Sequence, residues 1–156
     1  MNYDGTFSKI EALLLCVCCL ILGFTSMLLI KPQHISNEIT PQDWVKEEDI
    51  FVYQNKVCFE ANNLSWTAYK PTGSMRPLFD EGANGIETKP DNPEAIKVGD
   101  VISFKDGDTI IVHRVIKTAY DSTGWFAKTK GDNNPIEDSI KIRFKNINGV
   151  LIALIY

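Results

Sequence analysis

Residues Ala12 to Ile30 read ALLLCVCCLILGFTSMLLI, without a single charged side chain. No other stretch constrains the fold as strongly. At about 1.5 Å per residue, a helix of this length matches a bilayer's hydrocarbon core of about 30 Å. The run is apolar on every face, so it lacks the polar side that a helix on a soluble core needs. A cleaved signal peptide is the alternative, but that needs a shorter apolar stretch followed by small residues at alternate positions. Here the run ends in Met27-Leu28-Leu29-Ile30. The expectation is an uncleaved anchor over 10–31, preceded by a polar lead over 1–9. Lys9 and Lys31 flank it evenly, so charge alone does not orient it.

The remainder of the 156 residues suffices for one modest domain. A net charge of −4 and the lack of a basic stripe argue against nucleic-acid binding. Cys16, Cys18 and Cys19 fall in the apolar run and read as small apolar residues, leaving Cys58 alone in the polar part. That part therefore holds no internal disulfide, and no cysteine pair has metal-ligand spacing. No cofactor is expected.

Residues 32–49, with Pro32, Pro41 and several acids, read as a linker, and His34 as an exposed residue in it. From Ile50 onward the pattern is β. DIFVYQ, KVCFEA and GWFAKTK have strand composition, and NGVLIALIY reads as a last strand buried on nearly both faces. DVISFKDGDTIIVHRVIK reads as a hairpin turning at Lys105–Asp108, because glycine accepts positive φ. Gly82–Gly99 is rich in Gly, Pro, Asn and Asp, and reads as a surface loop. The fold class is mostly β, with one domain over 50–156 behind one N-terminal transmembrane helix.

Three short stretches carry chemistry. In PTGSMRP, Ser74 sits between prolines that stiffen the backbone, beside Gly73, which permits close approach or unusual φ. A Gly-Ser turn would look the same. In IIVHRVI, His113 lies on a strand with Ile111 and Val115 on its own face. It can be a core histidine satisfied by backbone groups, or a general base with an ordinary pKa near neutrality. In TKGDNNPIED, Asp132 and Asp138 flank a turn, and either could orient an imidazole. Alone, each feature has an ordinary structural explanation.

Together with Gly99-Asp100-Val101, and in this order, GSMRP, HRV and TKGDNN resemble the sequence boxes of type I signal peptidases. The likeness is strongest to the archaeal and endoplasmic-reticulum branch, and runs from about Trp66 to the end. It implies a signal-peptidase-like β catalytic domain in which Ser74 is the nucleophile and His113 the base. Bacterial relatives place a lysine at the position of His113. The resemblance implies Asp138 as third member of a triad and Asp132 as a supporting residue, with the two exchangeable. The Ser74 N–H and Thr72 would hold the oxyanion.

The implied substrates are secretory preproteins with small residues before the cleavage site. Ile50–Val52 and Tyr69 are pocket candidates by apolar character. The implied setting is single-pass in a lipid bilayer, with the catalytic domain on the exported side and accessory membrane subunits possible. Arg76 departs from the family form, as does the stretch after the serine box. Three alternatives stand beside this reading. LexA-type self-cleaving proteins share such a domain, but use lysine and have no anchor. A membrane-tethered β-domain could bind a partner without catalysis, and a specialised processing peptidase could serve only a few exported proteins.

Overall fold

A computed structural model describes residues 39–156. The expected lead, the anchor and His34 lie outside the described residues. Among the described residues, no helix is long and apolar enough to cross a membrane. The mostly β expectation holds: eight strands are joined by turns, and the helical content is three short 3-10 turns.

A small antiparallel hairpin of β1 (Ile50–Val52) and β2 (Val57–Phe59) comes first. The main sheet contains β3 (Leu64–Ala68), β4 (Asn84–Thr88), β5 (Val101–Asp106), β6 (Thr109–Asp121), β7 (Gly124–Lys130) and β8 (Ile147–Ile155). Its spatial order is β3-β4-β8-β5-β6-β7, antiparallel throughout. The Asp-Gly signal produces the expected β5–β6 hairpin, with Asp106 opposite Thr109 and Gly107 at φ 58°.

Alternation along β5 and β6 sorts side chains onto two faces. On one face Phe104, Ile102 and Val115 pack with Trp125, Ala127, Ile142, Ile147 and Val150, and Ile111 leans on the same cluster. On the other, Val101 packs with Met75, Phe79 and Ala83, against which Val112 and Leu151 lie. The sheet therefore has a core on both sides.

Two local expectations need correction. Gly82–Gly99 is not all loop, because Asn84–Thr88 forms β4, paired with β3 on one side and β8 on the other. Its buried members include a carboxylate, Glu87, which receives the Ser103 hydroxyl at 2.5 Å. The strand is held by neighbours and not by its own apolar pattern, which composition alone does not reveal. The final strand, although central in the sheet, is well buried only in its first half, and Ile155 is exposed.

The segment before β1 is also tied down. Asp100, wholly buried, accepts hydrogen bonds from Gln42 N, Gln42 Nε2 and Trp44 Nε1, each at 3.1 Å, and from Lys97 N at 2.9 Å. Four donors on one carboxylate make its burial tolerable.

Candidate active site

The turn carrying Ser74 is built from below and from the side. Met75 is 2% exposed and sits in the second core with Phe79. Truncating such a methionine to alanine costs about 2–5 kcal/mol, so the residue after the serine is a firm anchor. Gly73 takes φ 69°, a conformation that side chains resist, and its N–H donates to Asp80 Oδ1 at 3.0 Å. Asp80 Oδ2 accepts from Arg76 Nε at 2.6 Å. The Gly73 N–H first, and the Arg76 guanidinium after it, hold the Asp80 carboxyl below the usual range. Arg76 thus has a local partner. The sequence reading missed Asp80, although its spacing from Arg76 was a signal.

The same turn leans on the loop after β7. Ser74 O accepts from Asn133 N at 2.9 Å, and Gly73 O from Asn133 Nδ2 at 3.1 Å. A Cβ on Gly131 would lie 2.7 Å from Ser74 O, so only glycine permits this approach. The Ser74 hydroxyl lies 3.1 Å from Thr72 Oγ1. The Ser74 N–H is 3.5 Å from that same oxygen, too far for a strong bond, and is left available to another acceptor.

His113 is buried on β6, edge-on to Phe104 with ring centroids 6.5 Å apart. Its Nδ1 lies 2.8 Å from Asp138 Oδ2. A carboxylate only accepts, so Nδ1 carries the proton and Nε2 of the neutral ring keeps its lone pair. Asp138 is fixed in turn by three further bonds. Its N–H donates to Thr129 O at 2.8 Å, the Thr129 hydroxyl donates to Oδ2 at 2.6 Å, and Lys128 Nζ donates to its carbonyl.

Asp132 has a different partner. Arg114 donates to it twice, Nε to Oδ1 at 2.8 Å and Nη2 to Oδ2 at 2.7 Å, and sends Nη1 to Gly99 O at 2.8 Å. The two aspartates that the sequence left exchangeable therefore occupy different places.

β6 pairs with β7 as far as Arg114 opposite Lys130, and Gly131, the next residue of that chain, packs against Ser74 O. Among the described residues, no hydrogen bond joins Ser74 Oγ directly to His113. The pocket candidates divide. Tyr69 stacks on Phe79 at 4.2 Å and is half-buried, whereas Ile50 lines an open cleft with Trp44, Leu78 and Leu154. Among the described residues, no cluster of His, Cys, Asp and Glu could hold a metal ion.

No family model matches the chain. Individual curated proteins do. Over 77 residues the chain is 32% identical to signal peptidase I W of Bacillus subtilis (strain 168), covering 49% of this chain and 40% of the relative. Over 80 residues it is 38% identical to the signal peptidase complex catalytic subunit SEC11 of Candida albicans (strain WO-1), covering 50% and 47%. Over 90 residues it is 36% identical to SEC11 of Clavispora lusitaniae, covering 56% and 53%. The chain is similar to signal peptidases. It spans about half the length of the curated relatives it matches, and the similarity reaches both the bacterial peptidase and the SEC11 subunits.

Proposed function

We infer that this protein is a serine endopeptidase that removes signal peptides from secretory preproteins through a Ser74–His113–Asp138 triad. The observation that carries the reading is the partly buried His113 Nδ1–Asp138 Oδ2 bond of 2.8 Å, which leaves Nε2 as the basic nitrogen. The similarity to signal peptidases supplies the substrate class. In this reaction Ser74 Oγ attacks the scissile carbonyl carbon while its proton passes to His113 Nε2. The imidazolium, stabilised by Asp138, gives that proton to the leaving amine. Water then releases the acyl group, with His113 again taking and returning the proton. The Ser74 N–H and the Thr72 hydroxyl hold the oxyanion. Asp132 supports the site through Arg114 and the 131–134 turn, outside the proton path.

In this reading residues 10–31 tether the domain of residues 50–156 to the membrane, on the exported side, where precursors with small residues before the cut emerge. Tethering raises the local concentration of enzyme and precursor. Accessory membrane subunits fit the same setting, and a restricted set of exported substrates is a narrower form of the same chemistry.

A partner-binding domain without catalysis is favoured by one observation, the lack of a direct Ser74–His113 bond. Such bonds are commonly long in enzymes without substrate and tighten in the complex. The full chain in detergent, given a preprotein, tests the choice. Wild type cuts once at the signal-peptide junction, and Ser74→Ala and His113→Ala do not. Equal cleavage by Ser74→Ala, or none by wild type, overturns the peptidase reading.

A further inference from the structure

Oδ2 of Asp138 has two partners. The same oxygen accepts from His113 Nδ1 at 2.8 Å and from the Thr129 hydroxyl at 2.6 Å. Thr129 is wholly buried and pairs with Val115 across β6–β7, on the face where Val115 and Ala127 join the apolar core. A hydroxyl in that company needs a partner, and it has one in the carboxylate. Asp138 itself lies on a loop beyond β7 and is less buried, with its side chain 19% exposed. A carboxylate on a loop can rotate about its Cα–Cβ and Cβ–Cγ bonds. His113 alone would not determine which oxygen it meets.

We propose that Thr129 is a positioning residue for the His113–Asp138 pair: its hydroxyl, delivered from the rigid strand β7, selects the carboxylate oxygen that receives His113 Nδ1–H and holds it in line. The Thr129 carbonyl receives the Asp138 N–H at 2.8 Å, so one strand residue grips both the backbone and the side chain of the loop aspartate. Lys128, one residue before, adds a bond to the Asp138 carbonyl. Thr129 never touches substrate; it acts through Asp138. This role rests on the peptidase reading, but its physical content, a fixed Nδ1–H···Oδ2 bond, does not depend on cleavage.

The test compares Thr129→Val, Thr129→Ser and wild type as full chains in detergent, with two readouts. One is preprotein cleavage. A hydrogen bond to a charged acceptor is worth enough to change a rate about tenfold or more, so Thr129→Val should lower kcat by about that factor with KM little changed. The other is the proton resonance of His113 Nδ1–H in ¹⁵N-labelled protein. It should be protected from exchange in wild type and Thr129→Ser, and lost to exchange in Thr129→Val. If the valine variant misfolds, Thr129→Ala against Thr129→Ser supplies the same contrast. A wild-type Nδ1–H resonance in the variants without a hydroxyl overturns the proposal, as does equal damage in Thr129→Ser. If wild type cleaves no preprotein, the peptidase reading fails while the resonance still decides the role of Thr129.

Discussion

Arg114 holds Asp132 in a two-pronged bond, Nε to Oδ1 and Nη2 to Oδ2, at 2.8 and 2.7 Å. The neighbouring His113 holds Asp138. Adjacent residues on a strand point to opposite faces, so the two aspartates are sorted to opposite sides of β6 by the pleat alone. One carboxylate faces the imidazole, and the other locks the turn that supports the serine.

Substitutions at the two aspartates should therefore fail in different ways. Asp138→Asn replaces an acceptor-only carboxylate with an amide that can turn its NH₂ to His113 Nδ1 and impose the wrong tautomer, and kcat should fall on the order of 10³–10⁴-fold with the melting temperature nearly kept. Asp132→Asn should lose about 1–3 kcal/mol of stability, since a charged pair is broken, with a smaller loss of kcat. Thermal melts beside single-turnover cleavage separate the two. A larger kcat loss in Asp132→Asn would reverse the assignment.

Thr72→Val should lower kcat by about 10²–10³-fold if its hydroxyl serves the oxyanion, because such donors are worth about 2.7–4 kcal/mol at the transition state. Thr72 is exposed, so folding should be unaffected. Thr72→Ser should keep most of the activity, and comparison of kcat/KM for the three forms checks this. A valine variant as fast as wild type removes Thr72 from the oxyanion site.

Asp80 gives a pH prediction. The Gly73 N–H and Arg76 depress its folded pKa, so the folded state favours the charged form more than the unfolded chain does. Its stabilising contribution is complete above the ordinary carboxylate range and disappears as pH falls through the depressed value. Asp80→Asn should flatten the acid side of a stability–pH curve and loosen the Ser74 turn. Melting temperatures from about pH 2 to pH 7 test it.

Glu87 has the opposite sign. Burial raises its pKa, against which the Ser103 hydroxyl bond works, and Oε1 has no hydrogen-bond partner. Its contribution is complete below the ordinary glutamate range and is lost as pH rises through the raised value. The Tyr69 hydroxyl also lacks a partner and is pushed upward by burial and by Glu87. Glu87→Gln should remove the pH slope above about pH 4.3, and stability curves from about pH 4 to pH 9 read it directly.

The candidate site was legible only as short words in order. PTGSMRP, IIVHRVI and TKGDNNPIED each had an ordinary structural explanation alone. Ser74, His113 and Asp138 became candidates through the resemblance of those words to signal-peptidase boxes, which left Asp132 and Asp138 exchangeable. The β5–β6 turn was legible because Asp-Gly between alternating apolar residues has a strong local conformational cause. Asp80 was not, because its role depends on a turn folding back on itself. Strand β4 was hidden because Asn84-Gly85-Ile86-Glu87-Thr88 has one apolar side chain, Ile86, and buries Gly85, Glu87 and Thr88 instead, its place being set by β3 and β8. Thr129 was quoted in TKGDNN without a role. Its signal was subtle: period two along GWFAKTK puts a lone hydroxyl in line with Trp125 and Ala127.

The clasp of Asp100 on Gln42 and Trp44 has a practical corollary for anyone trimming this protein. A shortened chain that starts beyond Trp44 would strand a wholly enclosed carboxylate with one of its four donors, Lys97 N, still in place. Gly99, whose carbonyl Arg114 grips, lies hard against the Thr40 backbone, so the damage would travel toward Arg114 and the serine turn. A well-behaved fragment should begin no later than Thr40.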